Sequence, residues 1–419
     1  MRGAGAGITG AAMMCKATGL WAALAVMAAP VVADDWPQWL GPRRDGVSKE
    51  AGWRAAFDAN GPPRLWETNV GLGYSSVAVV GGRLYTLGNR SETDTLYCFN
   101  AETGALIWKY PYACSATAPR KIIKLYPGTR STPTVAGGRV YSFSRDGRLF
   151  CLDAVGGTLC WSLDVRDKPI AAAIPSWGFA CSPLVLDKWV VLDAGPILAV
   201  DKASGKLAWK SKAYPAAYSS PVALSLAGRG CIATLNGSGL TVVDAADGNQ
   251  LCLYPFSFGW IENCVTPLLA GQRCFISAGQ RPGSALLKLS ADGASEVWRG
   301  SGMLNVSTNS VLWAGCLYGF HGSALGAKSL RCVDFETGEK KWNTRLIRNG
   351  ALMIADGKLI ALGEKGELVI APAEPGGLKP LTRVKVLGPT CWAVPVLANG
   401  RIYCRNSAGD LVCLDVRAK

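Results

Sequence analysis

The sequence predicts an all-β protein in which one unit of four short strands is repeated along the chain. Of the 419 residues, 50 are glycine and 23 are proline, and these residues interrupt helices and form turns. Apolar and β-branched segments of about four to six residues alternate with turn residues, which is the pattern of short antiparallel strands. A glycine turn followed by a tryptophan returns about every 45 residues, and this period is typical of repeat architectures.

The composition excludes several classes of protein and of site. Charged residues make up 18% of the chain and apolar residues 49%, so the chain can form a packed core and is not intrinsically disordered. His321 is the single histidine. A zinc site with two histidines and a CxxCH haem attachment are therefore excluded, and a Ser-His-Asp triad could use only this residue. The glycine-rich stretches are turns, because none has the spacing of a phosphate-binding loop.

Residues 1–33 are predicted to be a signal peptide. Arg2 and Lys16 precede an apolar stretch, and small residues lead to a cleavage site near Ala33. We therefore expect a periplasmic or secreted protein without a transmembrane segment, since the apolar stretch is too short to span a bilayer. Cleavage lowers the formal net charge from +14 to +12. The basic residues are scattered, so we expect no nucleic-acid partner, but polyanion or glycan binding stays an alternative.

The clearest copy of the repeat contains four strands joined by tight turns. The segment STPTV at 131–135 is followed by a Gly-Gly turn and by RVYSF at 139–143. An RDG turn leads to RLFCLD at 148–153, and a second Gly-Gly turn leads to TLCWSL at 158–163. Each segment is rich in β-branched or aromatic side chains, so the unit predicts four antiparallel strands.

The repeat occurs often enough to fill the chain. An eighth unit begins at Trp392 and ends after three strands, and RLWETNV at 64–70 resembles an outer strand without inner strands of its own. We therefore predict an eight-bladed β-propeller of four-stranded antiparallel blades over 64–419, in which 64–70 completes the last blade. Residues 34–63 form an N-terminal leader segment. The turn glycines that mark the seven complete units are Gly104, Gly157, Gly205, Gly248, Gly293, Gly338 and Gly377.

The repeat SPxVxxGxVYxxxxDGxLxxLDxxTGxxxW resembles that of the pyrroloquinoline quinone (PQQ)-like propellers over residues 64–419. This family includes quinoprotein dehydrogenases and the outer-membrane assembly lipoprotein BamB. The leader sequence DWPQWLGPRRDGVS at 35–48 is similar to that of secreted bacterial members. WD40 propellers are the rival, but their paired GH and WD marks are absent. The resemblance implies the fold more strongly than an activity, because one scaffold can support unrelated functions.

The resemblance also implies a structural role for the tryptophans near the end of each unit. In this family such residues dock each blade on its neighbour, and a buried tryptophan removes on the order of 150–250 Å² from water. We therefore expect their replacement to weaken the ring rather than a reaction. The residues are Trp66, Trp108, Trp161, Trp209, Trp298 and Trp342.

The cysteines argue against a catalytic quinoprotein. In the family's dehydrogenases, PQQ stacks on a disulfide between adjacent cysteines beside a Ca²⁺ ion held by carboxylate and amide oxygens. The chain has 15 cysteines but no adjacent pair. The sequence therefore does not support binding of PQQ and Ca²⁺, and we expect no cofactor and no metal. Hairpin spacing suggests two disulfides between opposed strands, Cys404 with Cys413 and Cys151 with Cys160. Small buried apolar side chains are the alternative for these positions.

The connections between blades enter the inner strands at one face of the ring, which we call the mouth. The resemblance implies that the mouth holds the ligand, and aromatic side chains with a few charges suit a small ligand or a peptide. Capping of the axial channel is the structural alternative. The long connection at 113–129, which contains Tyr126, is a candidate for an acidic partner. The mouth residues predicted are Arg130, Trp177, Tyr218, Trp260, Glu262, Asn305, Arg348 and Trp392.

These observations favour a non-enzymatic, exported, monomeric propeller that binds an envelope protein or a small ligand. The BamB-like role rests on resemblance. A PQQ-dependent dehydrogenase of an alcohol or sugar is the main alternative, and a polyanion- or glycan-binding module is the third.

Overall fold

The computed structural model describes residues 34–117, 126–257, 263–279, 281–322 and 327–418. Within these residues the regular elements are strands, which form eight sheets. The predicted eight-bladed β-propeller is confirmed. In the described part of the chain, no helix is both long and apolar enough to cross a bilayer.

Two short strands precede the first blade, β1 (Val47–Ser48) and β2 (Arg64–Asn69). Blades 1 to 4 contain β3 (Ala78–Val80), β4 (Arg83–Arg90), β5 (Thr93–Asn100) and β6 (Leu106–Ala113); β7 (Thr134–Ala136), β8 (Arg139–Phe143), β9 (Arg148–Asp153) and β10 (Leu159–Asp164); β11 (Leu184–Val185), β12 (Trp189–Asp193), β13 (Pro196–Asp201) and β14 (Leu207–Ala213); and β15 (Val222–Leu226), β16 (Arg229–Asn236), β17 (Gly239–Asp244) and β18 (Gln250–Pro255).

Blades 5 to 8 contain β19 (Leu268–Ala270), β20 (Arg273–Ser277), β21 (Ser284–Ser290) and β22 (Gly293–Gly300); β23 (Val311–Trp313), β24 (Cys316–His321), β25 (Ser329–Asp334) and β26 (Lys340–Thr344); β27 (Gly350–Ala355), β28 (Lys358–Gly363), β29 (Glu367–Pro372) and β30 (Thr382–Lys385); and β31 (Val396–Ala398), β32 (Arg401–Arg405) and β33 (Asp410–Asp415). In each blade the strands follow one another from the inner strand outwards, joined by antiparallel pairing.

The last blade is completed by the N-terminal strand β2, as the sequence predicts. β2 pairs antiparallel with β33, with Trp66 opposite Cys413 and Asn69 opposite Asp410. The amide of Val70 extends the pairing by donating to Gly409 O at 2.9 Å. The outer strand of blade 8 and the remaining three strands therefore come from opposite ends of the chain, and this pairing closes the ring.

The leader folds as a hairpin inside the axial channel, which the sequence did not predict. Residues 34–50, the leader hairpin, enter from the face opposite the mouth, which we call the far face. Trp36 bridges Val79 of β3 in an antiparallel sense, and β1 returns parallel to the inner strand β27. Because β1 lies beyond β27 in the sheet order, it lies on the axial side of blade 7. The carboxylate of Asp34 accepts from Lys49 N at 2.9 Å and so joins the two arms of the hairpin.

Outer-strand tryptophans lie at six junctions between blades. Each indole Nε1 donates to a backbone carbonyl of the following blade at 2.8–3.2 Å, as Trp108 does to Ala154 O. Five of the indoles also pack on a turn glycine of that blade. A Cβ placed on Gly157 would lie 2.5 Å from the ring of Trp108. At φ +71°, this glycine makes the turn and also leaves room for the indole.

The strand register corrects the predicted opposition of Cys404 and Cys413. Cys404 lies opposite Val412 and Cys413 lies opposite Tyr403, so the two cysteines are out of register by one residue. Side chains of successive strand residues point to opposite faces, so these thiols point away from each other. The register between β9 and β10 is irregular from Leu159 to Trp161. It places Trp161, not Cys160, opposite Cys151. The four cysteines carry free thiols in this structure.

Candidate functional site

The mouth contains a cavity to which every blade contributes a residue from the same repeat position. In several units a proline precedes the inner strand, and the lining residue lies three positions before this proline. Arg130 lies before Pro133 in this way, and Trp392 lies before Pro395. Equivalent connections place their side chains at the same height around the axis. The eight residues are Tyr74, Arg130, Ala180, Tyr218, Cys264, Ser307, Asn349 and Trp392.

A belt of hydroxyl groups holds these connections against one another. Thr132 Oγ1 accepts from Ser76 N at 3.0 Å, Ser182 Oγ accepts from Thr132 N at 3.0 Å, and Ser220 Oγ accepts from Ser182 N at 2.9 Å. Ser76 Oγ donates to Val394 O at 2.7 Å. These bonds join blades 8, 1, 2, 3 and 4 in order. Because the belt is buried, its hydrogen bonds fix the relative height of the residues that line the cavity.

Aromatic rings form one wall of the cavity. Tyr74 stacks on Trp392 with ring centroids 5.5 Å apart and an interplanar angle of 29°. Tyr126 lies 5.0 Å from Trp392 and 6.1 Å from Trp177, measured between centroids. The cavity volume is about 260 Å³. The wall can therefore receive a flat apolar group of small size.

Two cations lie at the edge of this wall. The Arg130 guanidinium lies 5.8 Å from the Tyr74 centroid, and its Nε donates to Trp177 O at 3.1 Å. A further nitrogen of Arg130 donates to Tyr126 O at 2.9 Å, so its acceptors among the described residues are uncharged carbonyls. Desolvation by burial lowers the pKa of Arg130, and the neighbouring Tyr74 opposes this shift. The Lys328 ammonium lies 6.0 Å from the Trp392 centroid.

The floor of the cavity is contributed by the leader hairpin. Trp39 lines the cavity, and its indole Nε1 donates to Thr266 Oγ1 of the connection before β19 at 3.0 Å. Thr266 is buried, so this bond fixes the orientation of the indole.

The structure brings four of the predicted mouth residues together, Arg130, Trp177, Tyr218 and Trp392. Asn305 is fully buried, and its amide donates to Phe320 O at 3.0 Å and accepts from Ser310 Oγ at 2.9 Å. Arg348 is exposed and lies outside the cavity lining. Trp260 and Glu262 lie outside the described residues.

Sequence reasoning missed several of the lining residues. Tyr74 occupies the same repeat position as Tyr218 and Trp392, so an alignment of the eight units on their inner strands would have found it. The same alignment selects Asn349 instead of Arg348 and Ser307 instead of Asn305. Trp39 and Lys328 carry no such signal, because Trp39 precedes the repeat and Lys328 lies between two strands of blade 6.

The described lining contains no carboxylate side chain. The nearby Glu364 does not line the cavity, but its carboxylate is hydrogen-bonded to two residues that do. Its Oε1 accepts from Trp392 Nε1 at 2.8 Å and from Asn349 Nδ2 at 3.3 Å. Among the described residues, no cluster of three or more His, Cys, Asp or Glu side chains is placed to hold a metal ion. His321 accepts from Leu304 N through Nδ1, and burial lowers its pKa to about 4. The donor set of the lining suits an organic anion better than a divalent cation.

Comparison with known proteins relates the chain to two groups of propellers. The quinohemoprotein alcohol dehydrogenase ADH-IIG of Pseudomonas putida is 30% identical over 154 residues, which cover 33% of this chain and 19% of that protein. The chain thus spans about a fifth of the length of that relative. The structure of quinohemoprotein alcohol dehydrogenase from Comamonas testosteroni superposes with a TM-score of 0.68 at 14% identity, covering 92% of this chain and 81% of that chain.

The structure of BamB from Moraxella catarrhalis superposes with a TM-score of 0.61 at 15% identity, covering 85% of this chain and 98% of that chain. At such identities the structural likeness shows the fold. A family model described as outer membrane protein assembly factor BamB matches residues 51–120 and 115–318. Because these ranges make up more than half of the chain, the protein belongs to the PQQ-like propeller family that this model represents.

Proposed function

We propose that the mature protein is an exported, non-enzymatic propeller that binds a small, flat organic anion at its mouth. The observation that carries this proposal is the lining of the cavity, in which aromatic rings stand beside Arg130 and Lys328 without a carboxylate among the described lining residues. The predicted signal peptide and the name of the matched family, an outer membrane protein assembly factor, support a location in the envelope.

The size and shape of the cavity favour a small ligand over a protein segment. Its volume of about 260 Å³ lies near the lower end of the range for small-molecule sites. The Tyr74 and Trp392 rings stack on each other at an interplanar angle of 29° and line the cavity, so aromatic ring surface is available to a ligand at the mouth. A rigid planar ligand gains stacking contacts at this site. A flexible peptide could gain similar contacts, but it would lose conformational freedom on binding, and this loss would weaken its affinity.

The charges favour an anion. Arg130 is held in place by two backbone carbonyls, so its position is fixed before a ligand arrives while its positive charge keeps no carboxylate partner among the described residues. Lys328 adds a second positive charge, 6.0 Å from the centroid of Trp392. A carboxylate or sulfonate on the ligand would form charge-assisted hydrogen bonds with these groups.

A PQQ-dependent dehydrogenase is the second candidate, favoured by the similarity to quinohemoprotein alcohol dehydrogenases. The aromatic wall and the two cations would suit a quinone that carries carboxylates. The donor set does not suit the Ca²⁺ that accompanies PQQ, because the described lining supplies no carboxylate oxygen. The chain also has no adjacent cysteines to form the disulfide on which PQQ would stack. We therefore derive no reaction step through this cofactor.

A titration with two fluorescent probes tests the proposal. Anilinonaphthalene sulfonate is an aromatic anion with a flat naphthalene ring, and phenylnaphthylamine has the same rings without the charge. We expect saturable binding of the anion, roughly tenfold weaker binding of the neutral probe, and loss of this preference in Lys328→Met. Equal affinity for both probes, or unchanged binding of the anion to Trp392→Leu, would refute the proposed ligand class.

A second measurement separates binding from catalysis. Purified protein is supplied with PQQ and Ca²⁺, and reduction of an artificial electron acceptor by alcohols and sugars is followed. We expect no reduction above the rate without protein. Turnover that disappears in Trp392→Leu would establish the dehydrogenase and overturn the non-enzymatic assignment.

A further inference from the structure

The leader hairpin contacts all eight blades. Trp36 pairs with Val79 in blade 1, and Pro37 O accepts from Val135 N in blade 2. Arg44 donates to carbonyls of the connections before blades 3 and 4, and Trp39 donates to the connection before blade 5. Gly46 packs on Val311 in blade 6, β1 pairs with blade 7, and Glu50 accepts from two amides of the β31–β32 turn in blade 8.

The tip of the hairpin, residues 39–44, reaches the level of the mouth. The Arg44 guanidinium donates to Gln38 Oε1 at 3.0 Å, to Ser182 O at 3.3 Å and to Pro221 O at 2.9 Å, and also to Pro183 O. Ser182 itself lines the cavity. All four acceptors are uncharged, and Arg44 is 4% exposed, so a buried positive charge is hydrogen-bonded to the backbone of a residue that lines the cavity.

The tip is held in one conformation by its own turns. Gly46 N donates to Leu40 O at 2.9 Å, and Gly41 adopts φ +80° with no room for a side chain against the Trp36 ring. Arg44 also has a positive φ of 56°, a conformation that costs free energy for a residue with a Cβ. The bonds from Arg44 to three carbonyls of the ring offset this cost only when the hairpin is inserted.

From this placement we propose that the leader hairpin is part of the ligand site, with Trp39 contacting the ligand from below and hairpin insertion required for binding. The inference rests on the proposed function of the mouth. The leader, which is not part of the repeat, fills the channel beneath the cavity, and the cavity has a floor only because the leader is there. A ligand that contacts Trp39 also stabilises the inserted hairpin by mass action.

Binding of anilinonaphthalene sulfonate to matched variants tests this inference. Trp39→Leu keeps an apolar side chain but removes the aromatic face, and Thr266→Val removes the hydrogen bond that orients Trp39 without changing a residue of the lining. Trp189→Leu is the control, because Trp189 is a partly buried tryptophan of β12 outside this cavity. Melting curves without probe identify any variant that fails to fold.

We expect Trp39→Leu to weaken probe binding roughly three- to tenfold, Thr266→Val to weaken it about twofold to threefold, and Trp189→Leu to leave it unchanged. If Trp392→Leu weakens binding while folded Trp39→Leu and Thr266→Val bind as the wild type, the ligand site stands and the role of the leader is refuted. If Trp392→Leu also binds as the wild type, the proposed function itself fails. Should Trp39→Leu not fold, Thr266→Val alone decides, and its unchanged affinity overturns the inference.

Discussion

Six junctions between blades are closed by a tryptophan of the repeat, whereas the junction between blades 7 and 8 is closed by the leader. The outer strand β30 has the sequence TRVK and offers no aromatic residue. In its place, Thr382 Oγ1 donates to Ala55 O at 2.8 Å and accepts from Phe57 N at 3.0 Å, and Gly61 packs on Val384. Trp53 joins the same apolar cluster as the core of blade 8.

The junction between blades 4 and 5 shows a third arrangement. Cys252, not an aromatic residue, stands at the tryptophan position, since it lies opposite Val242 as Trp108 lies opposite Cys98. Two residues later, the Tyr254 hydroxyl donates to Glu296 while Arg299 donates to it. These contacts lie in exposed positions of the two outer strands. This junction therefore lacks the hydrogen bond from an indole to the backbone of the next blade, and polar contacts between the outer strands β18 and β22 join the blades there instead.

Deletion of residues 34–70 should have the largest effect. It removes the closing strand β2, the leader hairpin and three buried tryptophans, Trp36, Trp53 and Trp66. Truncation of a buried tryptophan costs about 3–5 kcal/mol, and a whole domain has only about 5–15 kcal/mol of stability. We therefore expect loss of cooperative melting in circular dichroism, compared with the chain that lacks only 1–33. A melting temperature equal to that control would show that the N-terminus does not close the ring.

Two glycines of blade 2 separate the cost of a turn from the cost of a junction. Gly157 and Gly138 have φ values of +71° and +72°, but only a Cβ on Gly157 would meet an indole, that of Trp108, whereas one on Gly138 would meet nothing within 4 Å. Gly157→Ala should therefore destabilise the protein by about 1–3 kcal/mol more than Gly138→Ala in urea unfolding. Equal losses would mean that the indole moves away without cost.

The junction between blades 3 and 4 contains a buried carboxylate and gives a pH prediction. Asp193 accepts from Thr234 Oγ1 at 2.7 Å across the junction, and burial raises its pKa to about 6. The folded state therefore holds a proton that the unfolded chain releases, so stability present at low pH is lost as the pH rises through about 6.

Acidification from pH 7 to pH 5 should stabilise the wild type relative to Asp193→Asn by about 1 kcal/mol. The difference between the two proteins is the relevant measure, because His321, with a pKa lowered to about 4, changes stability in the opposite direction. Urea unfolding at the two pH values provides it. Parallel pH dependence in both proteins would show that Asp193 does not take up a proton in this range.

The blades were predictable because each unit carries its own turns and alternation. Strand β2 was assigned correctly because its tryptophan, Trp66, stands where the other outer strands have theirs. The path of the leader hairpin was not predictable, since Trp36 and Trp39 belong to no repeat and their partners lie in strands far along the chain. Such contacts are fixed by the shape of the assembled channel, which no local pattern contains.

The candidate site was predictable in part for the same reason. Arg130, Tyr218 and Trp392 share one position in the unit, so geometry alone brings them together. Asn305 was predicted because it lies in a connection between blades, but its position two residues before Ser307 turns its amide towards the buried backbone of blade 6. Equivalent position in the repeat was therefore a better guide to the cavity than location in a connection.

Tyr254→Phe should have the smallest effect and sharpens the comparison between junctions. The hydroxyl interacts with Glu296 and Arg299 at the surface, where such contacts contribute about 0.5 kcal/mol or less. The matched change at the next junction is Trp298→Phe, which removes a hydrogen bond of 2.9 Å to Phe335 O and should cost about 1 kcal/mol or more. Urea midpoints at constant slope provide the measurement. If Tyr254→Phe costs as much as Trp298→Phe, the tyrosine hydroxyl joins blades 4 and 5 as strongly as an indole joins the other blades, and the indole-to-backbone hydrogen bond is not what distinguishes the junctions.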